Sequence, residues 1–132
     1  MAALAILLAA PVSAQTLTVK ASVPFDFVVG ARTMPAGEYV VSTGHDFGIL
    51  QIRNLDKSIA PVFAVTNGGD GPSEGEGVFL TFNRYGGDYF LAQLWDRSGG
   101  VGCSIPMSRT EWERVRSASL GKPEVVMVLA HR

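Results

Sequence analysis

The sequence predicts an all-β fold, mainly antiparallel, in the form of a β-sandwich or flattened barrel of seven or eight strands with one short C-terminal helix. From residue 17 onward, short runs rich in β-branched and aromatic residues are separated by turn signals about every ten residues, a spacing typical of sandwiches and barrels. One later segment carries the signature of a helix N-terminus. The length of 132 residues suits a single hydrophobic core.

Residues 1–14, MAALAILLAAPVSA, are interpreted as a cleavable signal peptide, and residues 15–132 as a single β-rich domain. The leader holds an apolar run that Pro11 ends well short of the roughly 20 residues that span a bilayer. It closes with a Val-Ser-Ala triplet that satisfies the small-residue cleavage rule. No basic residue precedes the apolar run, so the sequence leaves open whether Met1 is the true start.

Charge and cysteine content narrow the partners and the compartment. The net charge is −1, and Lys and Arg are scattered, so the basic stripe typical of nucleic-acid binding is missing. The single cysteine, Cys103, excludes an intramolecular disulfide and lies too far from the cleavage point to carry a lipid anchor. We therefore expect an exported protein, periplasmic or secreted, with no stable membrane anchor.

The first part of the domain predicts a strand pair and a turn. Residues 17–29 are expected to form one strand broken or bulged at Pro24, because proline lacks the donor that a sheet ladder needs. Residues 30–37, GARTMPAG, predict a turn. The following run EYVVSTG places Tyr39 and Val41 on one side.

A hairpin is expected next, with its connection at His45 and Asp46 and with Leu50 and Ile52 on the apolar side of its second strand. Another strand, APVFAVTN, follows. Residues 68–77 hold five glycines, a proline and three acids, a composition that predicts a mobile surface loop.

The strongest hairpin signal is GVFLTFNRY-GGD-YFLAQLWD, residues 77–96. A three-residue loop at residues 86–88 would place Tyr85 opposite Tyr89. One face of this hairpin is then core, and it comprises Val78, Leu80 and Phe82 beside Leu94, Ala92 and Phe90.

The opposite face of that hairpin mixes aromatic rings with hydrogen-bonding groups, a combination that suits sugars, peptides or flat apolar ligands. Simple packing of a central strand is the alternative. The candidate ligand-binding residues on this face are Phe79, Asn83, Tyr85, Tyr89, Gln93 and Trp95.

The C-terminal helix is predicted from a capping box, with Ser108 as N-cap and Glu111 at the third helical position. Met107 and Trp112 are spaced as a hydrophobic staple. The helix should end near Ser119, and its alternating charges indicate a solvated face. The last run, residues 124–131, is expected to pair in the sheet.

Three motifs carry a family resemblance: VPFDFVVG followed by MPAGEY (residues 23–39), FNRYGGDYFLAQLW (residues 82–95) and IPMSRTEWE (residues 105–113). With these motifs the chain resembles a family of small exported proteins of acidobacterial type that has no established activity. The resemblance covers nearly the whole mature chain. It implies export and a shared β scaffold, and it assigns no catalytic residue.

Other constellations give weaker hypotheses. Asp70, Glu74 and Glu76 offer oxygen ligands for calcium but lack the spacing of a known calcium loop, so a solvated loop is expected and no metal site is predicted. Cys103 with His45 or His131 would be a thiol and its base, although a lone Cys in an apolar run is usually a small buried hydrophobe.

Carboxylates for a glycosidase pair are present at Asp26, Glu38 and Asp96, but nothing in the sequence pairs them. No catalytic residue and no cofactor are predicted.

The expected function is an exported, non-catalytic binding or structural module of the cell envelope or extracellular space. A carrier of a small amphipathic ligand in a β cavity and a weakly marked hydrolase remain alternatives. An enclosed pocket lined by Asn83, Tyr85 and Trp95 would favour the carrier. A long unpaired edge at residues 124–131 would favour self-association by strand addition.

Overall fold

The computed structural model describes residues 17–43, 48–70, 76–98, 100–118 and 123–132. These residues form eleven strands in one sheet and one short α-helix, and the sheet curves into a nearly closed barrel. The all-β prediction with a single C-terminal helix is thereby confirmed. The predicted signal peptide, residues 1–14, and the connection at His45 and Asp46 lie outside the described residues.

The elements have the following bounds in chain order: β1 Thr18–Val23, β2 Phe27–Val29, β3 Arg32–Met34, β4 Gly37–Thr43, β5 Ile49–Asn54, β6 Val62–Val65, β7 Asn67–Asp70, β8 Val78–Tyr85, β9 Asp88–Asp96, β10 Val101–Ser104, α1 Arg109–Ala118 and β11 Glu124–His131. There are more strands than the seven or eight expected. The additional ones are short strands within segments that the sequence shows as single runs or as loops.

The order of the strands explains how the sheet nearly closes. Strands β9, β8, β11, β1, β4, β5 and β6 lie side by side, and every pair among them is antiparallel. Strand β7 follows β6 after Thr66 and pairs with β10, which in turn pairs with β9. The β2–β3 hairpin joins β9 through a parallel pair, Val28 with Phe90, so the sheet is mixed.

The strand expected across residues 17–29 is interrupted at Pro24, as predicted, but its two pieces do not form one strand of the sheet. Strand β1 lies between β11 and β4, whereas β2 lies beside β9. The chain leaves the sheet at Pro24, which cannot donate to a ladder. Phe25 then stacks on Tyr89 with ring centroids 3.8 Å apart, and both rings pack against the core. The expected turn at residues 30–37 also contains β3, which follows a tight turn at Gly30 with φ of 63°.

The expected alternation in the β4–β5 hairpin is confirmed, because Tyr39, Val41, Leu50 and Ile52 are all buried. The expectation that the glycine-rich segment, residues 68–77, forms a loop is partly wrong. Its start belongs to β7, which pairs with β10 along Asn67–Asp70. Ladder hydrogen bonds use only backbone groups, so a glycine run can pair without contributing side chains to a core. Residues 71–75 lie outside the described part of the chain.

An aromatic cluster forms the centre of the barrel interior. The fully buried ring of Phe82 contacts Phe25 at 4.9 Å and Phe27 at 5.3 Å, both edge to face. Phe27 also contacts Tyr39 at 5.0 Å. Edge-to-face pairs add about 0.5–1.5 kcal/mol beyond area burial. The aliphatic residues of β1, β4, β5, β8 and β9 pack around this cluster.

The predicted register of the β8–β9 hairpin is wrong. Its turn has two residues, with Gly86 at φ of 63°, so Tyr85 pairs with Asp88. A bulge between Thr81 and Phe82 then shifts the ladder by one residue. As a result Leu91 is buried in the core opposite Phe82. The expected core residues Val78, Leu80, Phe82 and Leu94 do lie inside.

The helix begins as predicted but docks differently. The Ser108 hydroxyl accepts a hydrogen bond from the Glu111 backbone N–H at 3.2 Å, which confirms the N-cap. The Glu111 side chain turns to the sheet, where it contacts Tyr85. Met107 and Trp112 are 43% and 55% exposed, so a staple between them would bury little area. Among the described residues, no helix has the length and apolar character to cross a bilayer.

Strand β11 is flanked on both sides and is not a long free edge. It pairs with β8 along residues 124–130 and with β1 at Ala130 and His131. Its outward side chains, Val125, Met127 and Leu129, are nonetheless 47–60% exposed and form an apolar row.

A glycine sets the distance between β9 and β10. A β-carbon added at Gly102 would overlap the Leu94 carbonyl oxygen and lie 2.6 Å from Cε3 of Trp95. The first of these neighbours is backbone and cannot rotate away. Only glycine therefore lets β10 pass against Trp95 at this register.

We predict that Gly102→Ala lowers the free energy of unfolding by about 1–3 kcal/mol, because it overpacks a buried contact. Denaturation in urea, followed by circular dichroism, measures the change. Gly87→Ala is the matched control, since its β-carbon would have no atom within 4 Å. Equal stability of the two variants would contradict this account of β10.

Candidate ligand groove

The candidate residues of the hairpin do not all share one face. Phe79, Asn83 and Tyr85 lie on the outward side of β8, and Gln93 and Trp95 lie on the outward side of β9, as their cross-strand pairing shows. Tyr89 is the exception, and its assignment to this face was wrong. Because the bulge and the two-residue turn change the register, Tyr89 pairs with Arg84 and stacks on Phe25. Phe90 takes its place on the outward side, where it contacts Tyr85 at 5.7 Å.

Helix α1 covers part of this outward face through Glu111, whose residue surface is only 5% exposed. The Tyr85 hydroxyl donates a hydrogen bond of 2.8 Å to Oε2 of Glu111. The Asn83 amide donates to the same oxygen at 3.3 Å. Two donors converge on one oxygen, and this arrangement suits a carboxylate.

Burial raises the pKa of Tyr85 to about 12, and the hydrogen bond and negative charge of Glu111 add to the effect. The phenol therefore keeps its proton at neutral pH and acts as a donor. Because the phenol cannot give up that proton in this pH range, Tyr85 serves as a support for Glu111 and not as a proton-transfer group.

A groove of about 320 Å³ opens beside this contact, between the start of α1 and strands β8, β9 and β10. Asn83 and Gln93 are the two candidate residues that line it, whereas Phe79, Tyr85, Tyr89 and Trp95 are not among its lining residues. Polar groups also come from Thr81, Ser104 and Glu111. The apolar part of the lining consists of Ala92, Ile105, Met107 and Val125.

Sequence reasoning missed most of this groove, and Glu111 above all. Glu111 reads as an ordinary capping-box residue, and the capping role explains its position without any contact to the sheet. The sequence feature that could have indicated this contact is the short connection from Ser104 to Ser108. Because only a few residues join β10 to α1, the first turn of the helix must lie close to β10 and its neighbour β9.

The groove carries negative charge with no cation beside it among its described lining residues. Two of the three arginines of α1 pair with other carboxylates: Arg109 pairs with Glu113 at 3.5 Å, and Arg114 pairs with Asp88 at 2.6 Å. The expectation that all helix charges are solvated is therefore wrong for Glu111 and Arg114. Both contact groups of the sheet, because the helix lies against it on this side.

A second depression of about 470 Å³ lies beside Val28, Phe90 and the Arg114–Asp88 ion pair. Its charged groups include Glu113, which pairs with Arg109. These ion pairs already satisfy the main charges of the second depression, so the groove at Glu111 is the stronger candidate site.

The thiol hypothesis finds no support in the geometry. Cys103 is 2% exposed and belongs to the barrel core, and burial raises the pKa of its thiol. His131 is exposed near the end of β11, where its neighbour Ala130 faces inward. The two side chains therefore lie on opposite sides of the sheet. His45 lies outside the described residues.

The three carboxylates considered for catalysis have different surroundings. Asp26 accepts a hydrogen bond of 2.8 Å from the Ala36 backbone N–H, and Glu38 is exposed on β4. Asp96 is 7% exposed and forms an ion pair with Arg132. Asp26 and Asp96 thus have structural partners.

The structure gives little support to the calcium hypothesis. Asp70 ends β7, Glu76 is exposed, and Glu74 lies outside the described residues. Within the described ranges, no three potential metal ligands cluster.

Comparison of the chain with protein-family models, curated proteins and solved structures finds no match. The geometry of the groove therefore carries the functional argument.

We predict that Tyr85→Phe lowers the free energy of unfolding by about 1.5–3 kcal/mol, because it removes a hydrogen bond to a buried carboxylate. The pKa of Tyr85 is near 10 in the unfolded chain and about 12 in the folded protein. Between about pH 10 and pH 12 the Tyr85 phenol keeps its proton in the folded state and loses it in the unfolded state. The contribution of this group is thus complete below pH 10 and is lost as the pH rises toward 12.

Urea titrations at pH 8, 10 and 11 measure both effects. The variant should lose less stability than the wild type between pH 8 and 11. Tyr89→Phe is the matched control, since the Tyr89 hydroxyl makes no hydrogen bond to another described residue. An identical pH slope in wild type and Tyr85→Phe would refute the role given to Tyr85.

Proposed function

We propose that this chain is an exported, non-catalytic binding module that holds a small amphipathic ligand in the groove between α1 and the outward face of β8, β9 and β10. The observation that carries the proposal is the convergence of polar side chains from four elements on one concavity. Those groups belong to Asn83, Gln93, Ser104 and Glu111. A mostly pre-formed cleft with a few convergent polar groups is the usual form of a small-molecule site.

Both halves of an amphipathic ligand have a counterpart in the groove. Ile105, Met107 and Val125 supply apolar contact area, and Met107 can adapt to irregular shapes because its chain is unbranched. The groups opposite them can donate or accept hydrogen bonds. The volume of about 320 Å³ is at the lower end of the range for ligand pockets, which favours a small ligand.

The binding site proposed here is outside the barrel and not inside it. The rings of Phe27 and Phe82 are buried in contact inside the barrel, so a ligand there would have to displace packed rings. We therefore retain the carrier alternative as a protein that holds its ligand in a surface groove and not in a β cavity.

The hydrolase alternative has less support. Among the described residues, the thiol of Cys103 is buried and protonated, and the phenol of Tyr85 is held as a donor. A reactive nucleophile needs an adjacent base or a lowered pKa. Neither condition is met at these two groups.

A structural role through self-association rests on the exposed row Val125, Met127 and Leu129. Rows of this kind are common at contact surfaces. Val125 belongs to both the row and the groove, so the two uses of this face would compete.

To test the groove, we propose a nuclear magnetic resonance screen of ¹⁵N-labelled protein with a library of small neutral and charged fragments. Fragments that bind should shift the side-chain amide signals of Asn83 and Gln93. Ala92→Leu adds bulk to the groove and should abolish these shifts, because Ala92 lines it. Ser22→Leu is the matched control, since it adds similar bulk on the exposed outward side of β1.

Failure of every fragment to shift these amides, or equal shifts in wild type and Ala92→Leu, would refute binding at the groove. Sedimentation velocity on the same samples reports whether the chain forms dimers. A dimer that persists in Ala92→Leu would favour the structural role.

Export is supported by the signal-peptide pattern of residues 1–14. We predict that the exported protein begins at Gln15, and N-terminal sequencing of secreted or periplasmic material checks this. Ala14→Arg should block cleavage, because the cleavage site requires a small residue there. Retention of residues 1–14 in exported wild-type protein would contradict the prediction.

A further inference from the structure

The charge in the groove lacks a counter-charge. Glu111 is 95% buried by residue surface and lines the groove, yet none of the nine described lining residues is cationic. Neutral donors and the N-terminal turn of α1 stabilise this carboxylate, and a cation in the groove would add a charge pair. The two donors that do reach Glu111, from Tyr85 and Asn83, are both neutral.

Only one of the two carboxylate oxygens of Glu111 accepts hydrogen bonds from side chains of the described residues. Both hydrogen bonds that Glu111 accepts from side chains of the described residues end at Oε2. A carboxylate has about four acceptor positions on its two oxygens. Oε1 is thus the oxygen that can accept from a molecule in the groove.

Other acceptors surround the same space. The hydroxyls of Thr81 and Ser104 and the amide oxygen of Gln93 line the groove. None of these three side chains makes a hydrogen bond to another described side chain. Thr81 pairs with Gln93, and Gln93 pairs with Ser104, so these side chains form a row across β8, β9 and β10 on the outward face of the sheet.

We propose that the groove binds a primary alkylammonium group, with Glu111 as its counter-ion. This inference rests on the proposed function and names the ligand class of the same site. An ammonium carries three donors around a compact charge, which matches acceptors from the row on the sheet together with the carboxylate of Glu111 from α1. Ile105, Met107 and Val125 contact the alkyl part.

The same geometry disfavours a guanidinium group. A guanidinium binds a carboxylate best through two parallel hydrogen bonds, one to each oxygen. Oε2 of Glu111 is already occupied by Tyr85 and Asn83. Only one oxygen remains, and a single-point donor uses it better than a planar fork.

The test compares n-pentylammonium with n-pentanol, which has similar size and no charge. Titration of each probe into the ¹⁵N-labelled protein is followed at the side-chain amides of Asn83 and Gln93. We expect saturable shifts with pentylammonium and binding weaker by about tenfold or more with pentanol, because a buried charge would lose its partner. n-Butylguanidinium should also bind more weakly than pentylammonium.

Glu111→Gln removes the charge and keeps an oxygen that can accept from Tyr85. It should weaken pentylammonium binding by about tenfold or more and leave pentanol binding unchanged. Glu113→Gln is the matched control, since Glu113 is on the same helix with a side chain that is 70% exposed. If Glu111→Gln does not fold, Gln93→Leu on the exposed side of β9 provides a second variant, which should weaken pentylammonium binding selectively.

Equal binding of pentylammonium to wild type and Glu111→Gln, or equal affinity for the two probes, would overturn this inference. If neutral fragments still bind and Ala92→Leu still blocks them, the groove remains a binding site with another ligand class. If no probe or fragment binds, both the ligand class and the proposed function fail.

Discussion

The contact of Glu111 with Tyr85 and Asn83 determines how the helix and the barrel are joined. A ten-residue helix has little stability of its own and depends on tertiary contacts. This helix turns a carboxylate toward the sheet, and the sheet meets it with two neutral donors. The groove exists because the connection from Ser104 to Ser108 crosses beside β9 before the helix docks. The Glu111 contact and the Arg114–Asp88 ion pair both hold the wall that α1 gives to the groove.

The bulge in the β8–β9 hairpin is the second constraint on the site. It lets Leu91 and Leu94 both face the core while Gln93 faces outward. It also turns Tyr89 inward, where its ring stacks on Phe25. The same irregularity therefore adds packing to the core on one face of β9 and sets the groove residues on the other face. Bulges often redirect side chains near functional sites in this way.

The sequence predicted what depends on local pattern and missed what depends on distant contacts. The alternation of β4 and β5, the N-cap at Ser108 and the core residues of β8 follow from periodicity and capping chemistry. The hairpin register failed because two-residue and three-residue loops are both compatible with Gly86-Gly87-Asp88, and a bulge gives no clear signal in one sequence. Strand β7 was missed because glycine pairing depends on β10, which is far away in the chain. Glu111 was missed for a similar reason, since its capping role accounted for it fully.

The buried carboxylate links the fold to the proposed ligand. Tyr85, Asn83 and the N-terminal turn of α1 stabilise the carboxylate of Glu111, and the described lining of the groove adds no cation. The groove wall that carries Glu111 is present only while α1 is docked. A cation that binds there favours the docked state over the undocked one, so ligand binding and helix docking are thermodynamically coupled. The residue that attaches the helix to the barrel is, on this argument, also the residue that selects the ligand.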